Sequence, residues 1–80
     1  MHEWGITKSI INEIIKKSKE YGLKKIYKVC LSLGEKSDIS KESLEFCFNI
    51  LANGTPIEGI ALEIKQGSGN GVVIDSIQGI

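Results

Sequence analysis

The sequence predicts an α+β domain with the element order α-β-α-β-β: a mixed three-stranded sheet with two helices packed on one face. Three observations predict it. Residues 3–21, and the stretch from Ser40 to Asn53-Gly54, carry apolar residues at helical spacing and end at glycine. Residues 25–33 and 60–65 alternate apolar and polar in the period of a half-buried strand. A helix lies between those two strands, which implies a right-handed crossover and a parallel pair. The 80 residues are expected to form one domain, 1–80, with a small core and correspondingly large demands on caps and turns.

In the first helix, Ile6, Ile10 and Ile14 recur at i+4, with Ile11 and Ile15 beside them. Lysines crowd its C-terminal half, where the helix dipole favours cations, and Gly22 stands where a terminating glycine belongs. In the first strand Tyr27, Val29, Leu31 and Leu33 share one face. Lys28, Cys30 and Ser32 share the other, which predicts a partly exposed Cys30. Ser40 is the expected N-cap of the second helix, with Ile39 and Leu44 as a hydrophobic staple. Leu44, Cys47, Phe48 and Leu51 form its inner face, so Cys47 is expected to be a buried thiol. Pro56 prevents the helix from resuming. In the next strand Ile60, Leu62 and Ile64 point one way, and Ala61, Glu63 and Lys65 the other. Gly67-Ser68-Gly69-Asn70-Gly71 then predicts a turn joining it to a last strand in an antiparallel hairpin. The face of that strand is left open, because Ile77 has the opposite parity to Val72 and Ile74.

Ten basic and ten acidic residues give a formal net charge of zero, which argues against a nucleic-acid module dependent on a basic excess. No apolar run approaches a membrane span and no signal-type apolar segment opens the chain, so a cytoplasmic protein without membrane contact is expected. Cys30 and Cys47 form no CxxC pair, and reduced thiols are expected. No phosphate-binding loop is present, since the glycines of 67–71 precede no helix. The single histidine is His2, so no nucleophile–base set can be assembled and no enzymatic activity is expected. Glu35, Asp38, Glu42 and Glu45 read as carboxylates favoured near a helix N-terminus.

One group of residues carries chemistry. Met1-His2-Glu3 combines an α-amine, an imidazole and a carboxylate within three residues. If the His2 amide deprotonates, amine, amide and imidazole bind one ion from adjacent positions, and such nitrogen sets suit square-planar Ni(II) or Cu(II). The Glu3 amide or side chain, or a partner group, would complete the set. Many chains begin Met-His by chance, and terminal residues are usually without function. On these three residues alone the chance reading is the stronger.

Other features stand in register with that start. They are the helix ending at Gly22, a strand running into Leu33-Gly34-Glu35, and a helix with Leu44, Phe46 and Phe48. Gly54-Thr55-Pro56-Ile57-Glu58-Gly59 follows, before a strand with Leu62-Glu63-Ile64, and Asp75-Ser76-Ile77-Gln78 closes the set. From residue 1 to about 65, and again at the last strand, the chain resembles the HypA/HybF nickel metallochaperones of hydrogenase and urease maturation. The resemblance implies a Ni(II) site made of the Met1 amine, His2 and adjacent amides, with Glu3 as a ligand or an outer group. It also implies delivery to a [NiFe]-hydrogenase large-subunit precursor, with a GTPase maturation factor as partner, and a route that some organisms share with urease. Two departures stand out. The family's zinc-binding segment with two CxxC pairs belongs where this chain has the glycine-rich 67–71, so a zinc-domain deletion of engineered origin, with a short linker and no zinc site, is expected. Many relatives carry Asp where this chain has Ser40. The rival reading is a small protein-interaction module without metal function, using the open sheet face or Trp4.

Overall fold

The computed structural model describes residues 2–80, with side chains from Glu3 onward. Five elements follow in the expected order: α1 (His2–Glu20), β1 (Ile26–Gly34), α2 (Lys41–Leu51), β2 (Ala61–Gly67) and β3 (Val72–Gly79). The helices pack on one face of a single three-stranded sheet, α1 chiefly over β3 and α2 over β2, and they touch each other.

α1 buries Ile10, Ile11 and Ile14, while Ile6 stays 39% exposed. Thr7 is buried in its place, and its hydroxyl donates to the Glu3 carbonyl at 2.6 Å. The helix ends in a Schellman turn. Gly22 adopts φ +70°, the Leu23 amide reaches back to the Ser18 carbonyl, and the Gly22 amide to that of Lys19. α2 starts as expected: Ser40 is extended, and its Oγ accepts from the Ser43 amide at 3.1 Å. Ile39 and Leu44 are both buried beside that cap. Ser40→Ala removes the acceptor and is expected to cost about 1 kcal/mol, read as a lower denaturant midpoint with an unchanged m-value. Ser43→Ala, which keeps the capping amide, leaves the midpoint nearly unchanged.

The strand order is β2-β1-β3. β1 pairs in parallel with β2, in a register that sets Cys30 against Glu63 and Leu31 against Ile64. It pairs antiparallel with β3, Cys30 against Ser76 and Leu33 against Val72. The expected hairpin between the last two strands is therefore corrected. β2 and β3 run in opposite directions, but β1 lies between them, and the 67–71 turn passes over the end of β1. The Gly34 amide donates to Gly71 O, that of Glu35 to Gly67 O, and that of Lys36 to Gly69 O. At Gly34 a Cβ atom would overlap the Gly69 carbonyl oxygen and lie 2.9 Å from the Asn70 nitrogen, so the crossing requires glycine there.

Two register shifts change the expected faces. One lies between Ile26 and Lys28. Ile26 is buried and Tyr27 is 47% exposed, so Tyr27 does not join the core face with Val29 and Leu31. The other opposes Cys30-Leu31 to Ser76 and Ile74, leaving Asp75 as an extra residue. A bulge resets parity, and Val72, Ile74 and Ile77 thereby all pack against the core. Cys30 lies on the open face as expected, yet is 8% exposed. Its strand is central, and its thiol sits 3.6 Å from Glu63 Oε1, under the Lys28–Glu63 ion pair at 3.0 Å. Ser32 hydrogen-bonds to Asp75 on the same face. The core on the other face is built around Ile14, Val29, Leu31, Leu44, Phe48 and Ile57.

Candidate metal centre

α1 antiparallel to β1 brings the N-terminal end of the helix to the end of the sheet where Gly34, the 35–39 connection and the 67–71 turn meet. α1 begins at His2, so the amides of its first turn have no intrahelical acceptor. Of the three residues singled out from the sequence, Met1 and the His2 side chain lie outside the described residues. Glu3 is half-buried and helps line a cleft of about 280 Å³ with Ile6, Ser37, Asp38, Ile39 and Asn70.

The cleft wall is held by local bonds. The Ser37 amide donates to Gly34 O at 3.0 Å, and the Ile39 amide to Ser37 Oγ at 3.2 Å. The connection thus brings a second carboxylate, Asp38, to the cleft that Glu3 lines, and the sheet turn brings the Asn70 amide. The sequence signal for Asp38 was its place just before the second helix, which the dipole argument absorbed. Ser40 is committed to its cap. Trp4 packs edge-on against Phe46 of α2, ring centroids 6.4 Å apart and planes at 64°, tying the first turn of α1 to its neighbour.

The donor chemistry fits a late divalent metal. First-turn amides can become amidate donors without breaking a helix bond. The positive end of the helix dipole opposes a dication, and deprotonated amides together with the Glu3 carboxylate offset that charge. Among the described residues no group of three His, Cys, Asp or Glu side chains could hold a metal, at this cleft or elsewhere, so the candidate site depends on the N-terminal nitrogens. Cys30 and Cys47 are unpaired, the first on the open face of the sheet and the second under α2. The hydrogen bond and the charge of Lys28 hold Glu63 below the ordinary carboxylate range, and the same bond and the Glu63 carboxylate raise Lys28 above the usual lysine value. That pair belongs to the open sheet face and not to the N-terminal cleft.

A family model described as "Hydrogenase/urease nickel incorporation, metallochaperone, hypA" matches residues 1–72. The chain belongs to the HypA family. Within the family, the hydrogenase maturation factor HypA of Rippkaea orientalis is 40% identical over 80 residues, covering 100% of this chain and 68% of its own length. That of Chlorobaculum tepidum is 38% identical over 71 residues, covering 89% of this chain and 63% of itself. That of Methanopyrus kandleri is 34% identical over 65 residues, 81% of this chain and 46% of the relative. The chain thus spans from about half to two thirds of the length of these relatives. The solution structure of the Ni metallochaperone HypA from Helicobacter pylori superposes with a TM-score of 0.86 at 14% identity, covering 98% of this chain and 97% of that one, and so shares the fold. The family description is of a metallochaperone and not of an enzyme. No helix among the described residues is long and apolar enough to cross a membrane.

Proposed function

We propose that this domain binds Ni(II) through the Met1 amine, the His2 imidazole and the adjacent backbone amides, with Glu3 as a ligand or an outer group. The nickel is cargo, carried for delivery during hydrogenase maturation in the cytoplasm. The observation that carries the reading is the start of α1 at His2, which leaves the first-turn amides without acceptors beside the Glu3 carboxylate. Family membership, with a match beginning at residue 1, supports nickel as the ion. A hydrogenase large-subunit precursor as recipient, a GTPase maturation factor as partner and a shared urease route belong to the same reading. So does 67–71 as a linker standing where relatives carry a zinc segment.

The test is a Ni(II) titration of the untagged protein, of His2→Ala and of a chain with one residue added before Met1, followed by visible absorption. The parent is expected to give a one-to-one square-planar spectrum, and both altered chains are expected to lose it. Binding should weaken as pH falls through the pKa values of the donors, about 6.5 for imidazole and about 8 for the amine, because the metal displaces protons there. An extended chain that binds nickel as tightly as the parent would remove the amine from the site.

A further inference from the structure

The zero net charge conceals a segregation. Residues 16–28 hold six lysines and one carboxylate, Glu20. Of these lysines, Lys17 pairs with Glu13 at 3.6 Å and Lys28 with Glu63 at 3.0 Å. Lys16, Lys19, Lys24 and Lys25 have no carboxylate partner among the described residues, and Lys25 instead lies 5.6 Å from the centre of the exposed Tyr27 ring. The fold collects these cations at the end of the molecule opposite the N-terminal cleft, because the Schellman turn reverses the chain from α1 into β1 there.

The cations surround a shaped feature. Lys19, Lys24 and Lys25 rim a cleft of about 120 Å³ whose floor includes Ile15, Leu23 and Pro56. That volume is about four waters' share of liquid, the size of one branched aliphatic side chain. We propose that this basic cleft is a docking site for an acidic protein segment that inserts one aliphatic residue between its carboxylates.

Three arguments favour that partner. Unpaired lysines around an apolar floor match carboxylates flanking an apolar side chain, whereas a polyanion alone would leave the floor unfilled. The positive stretch is short, and the rest of the chain carries a net negative charge, so a long nucleic acid would meet repulsion beyond the patch. The ammonium groups are point charges on flexible stems, suited to carboxylates in varied geometry. α1 contributes Ile15, Ser18 and Lys19 to the cleft, which therefore lies about 20–26 Å from the start of the helix at His2. That exceeds the screening length of about 8 Å at physiological salt, and the two ends can be engaged at once. The cleft would tether a partner without occupying the N-terminal end, and the inference holds whether or not nickel binds there.

The test uses the whole chain and a labelled acidic peptide of about ten residues with a single central leucine, followed by fluorescence anisotropy and amide chemical shifts. Shifts are expected at Lys19 and across 23–26. Affinity should fall steeply between about 0.01 M and about 1 M salt, as the screening length drops from about 30 to about 3 Å. Replacing the peptide leucine by glycine should weaken binding by about tenfold, the lower end for burying such a side chain. The double variant Lys19→Glu/Lys24→Glu should abolish binding with the far-ultraviolet circular dichroism unchanged, and Lys24→Gln, which reverses no charge, should weaken it. The proposal is overturned by an absence of binding at low salt, by equal binding of the glycine peptide, or by undiminished binding to the lysine variants. Tighter binding of a thymidine decanucleotide or of anionic phosphatidylserine vesicles would overturn it too and reassign the patch.

Discussion

Phe48→Ala is expected to remove most of the stability of the domain. Phe48 is 2% exposed, faces the sheet from α2 and packs within the single core cluster. Truncating a buried phenylalanine costs about 3–5 kcal/mol, because the lost transfer free energy is joined by a cavity that the neighbours fill only in part. Small domains have about 5–15 kcal/mol in total, and a chain of 80 residues sits toward the low end. A thermal melt should show the midpoint falling by about 15 °C or more, or no cooperative transition at all. Phe46→Ala is the control. That ring is 62% exposed, and its loss removes an edge-on contact with Trp4 worth about 0.5–1.5 kcal/mol. Equal losses from the two variants would mean that the core is not organised as described.

Gly34→Ala is expected to dislodge the 67–71 turn. The added Cβ would meet Gly69 and Asn70 main-chain atoms, which cannot rotate away as a flexible side chain would. Relief requires the turn to lift, breaking the bonds from the Gly34, Glu35 and Lys36 amides. Overpacking of this kind costs about 1–3 kcal/mol, and the amides of 34–36 should exchange with solvent much faster than in the parent. Gly5→Ala should go the other way. A Cβ there meets nothing within 4 Å, and alanine suits a helix better than glycine by up to about 1 kcal/mol. If Gly34→Ala leaves exchange at 34–36 unchanged, the close crossing of the turn is not as described.

The elements were legible from the chain because each carried its own local signal: the Ile stripe and Gly22, the alternation around Val29 and Leu31, the Ser40 cap. Their pairing was not. A glycine-rich turn between two strands looks the same whether the strands meet each other or flank a third, and only the fold shows β1 taking a partner at both edges. The conflicting parity of Ile77 was a true sign of the bulge at Asp75, legible as an inconsistency though not as its cause. Tyr27 and Cys30 depart from the simple alternation for related reasons. A register shift moved the first out of the core face, and long neighbours on a central strand covered the second. At the candidate site the proposed donors, adjacent in sequence, could be read from the chain. Asp38 and Asn70 could not, because only the fold brings the 35–39 connection and the sheet turn to the cleft that Glu3 lines.

The central position of β1 also sets a tempo for folding. Both of its ladders join distant parts of the chain: Cys30 meets Glu63 across 33 residues, and Ser32 meets Asp75 across 43. The native sheet does not pair the two partner strands with each other, so no native local hairpin is available as a first stable unit. Loop-closure entropy must be met before either pairing gives any return, which places such a chain among the slower small domains. The helices can flicker into place within microseconds. β1 then waits, with two bare edges, for strands that are far away in sequence. Until both arrive, the apolar run of Val29 and Leu31 is the stretch of this chain most exposed to a wrong partner.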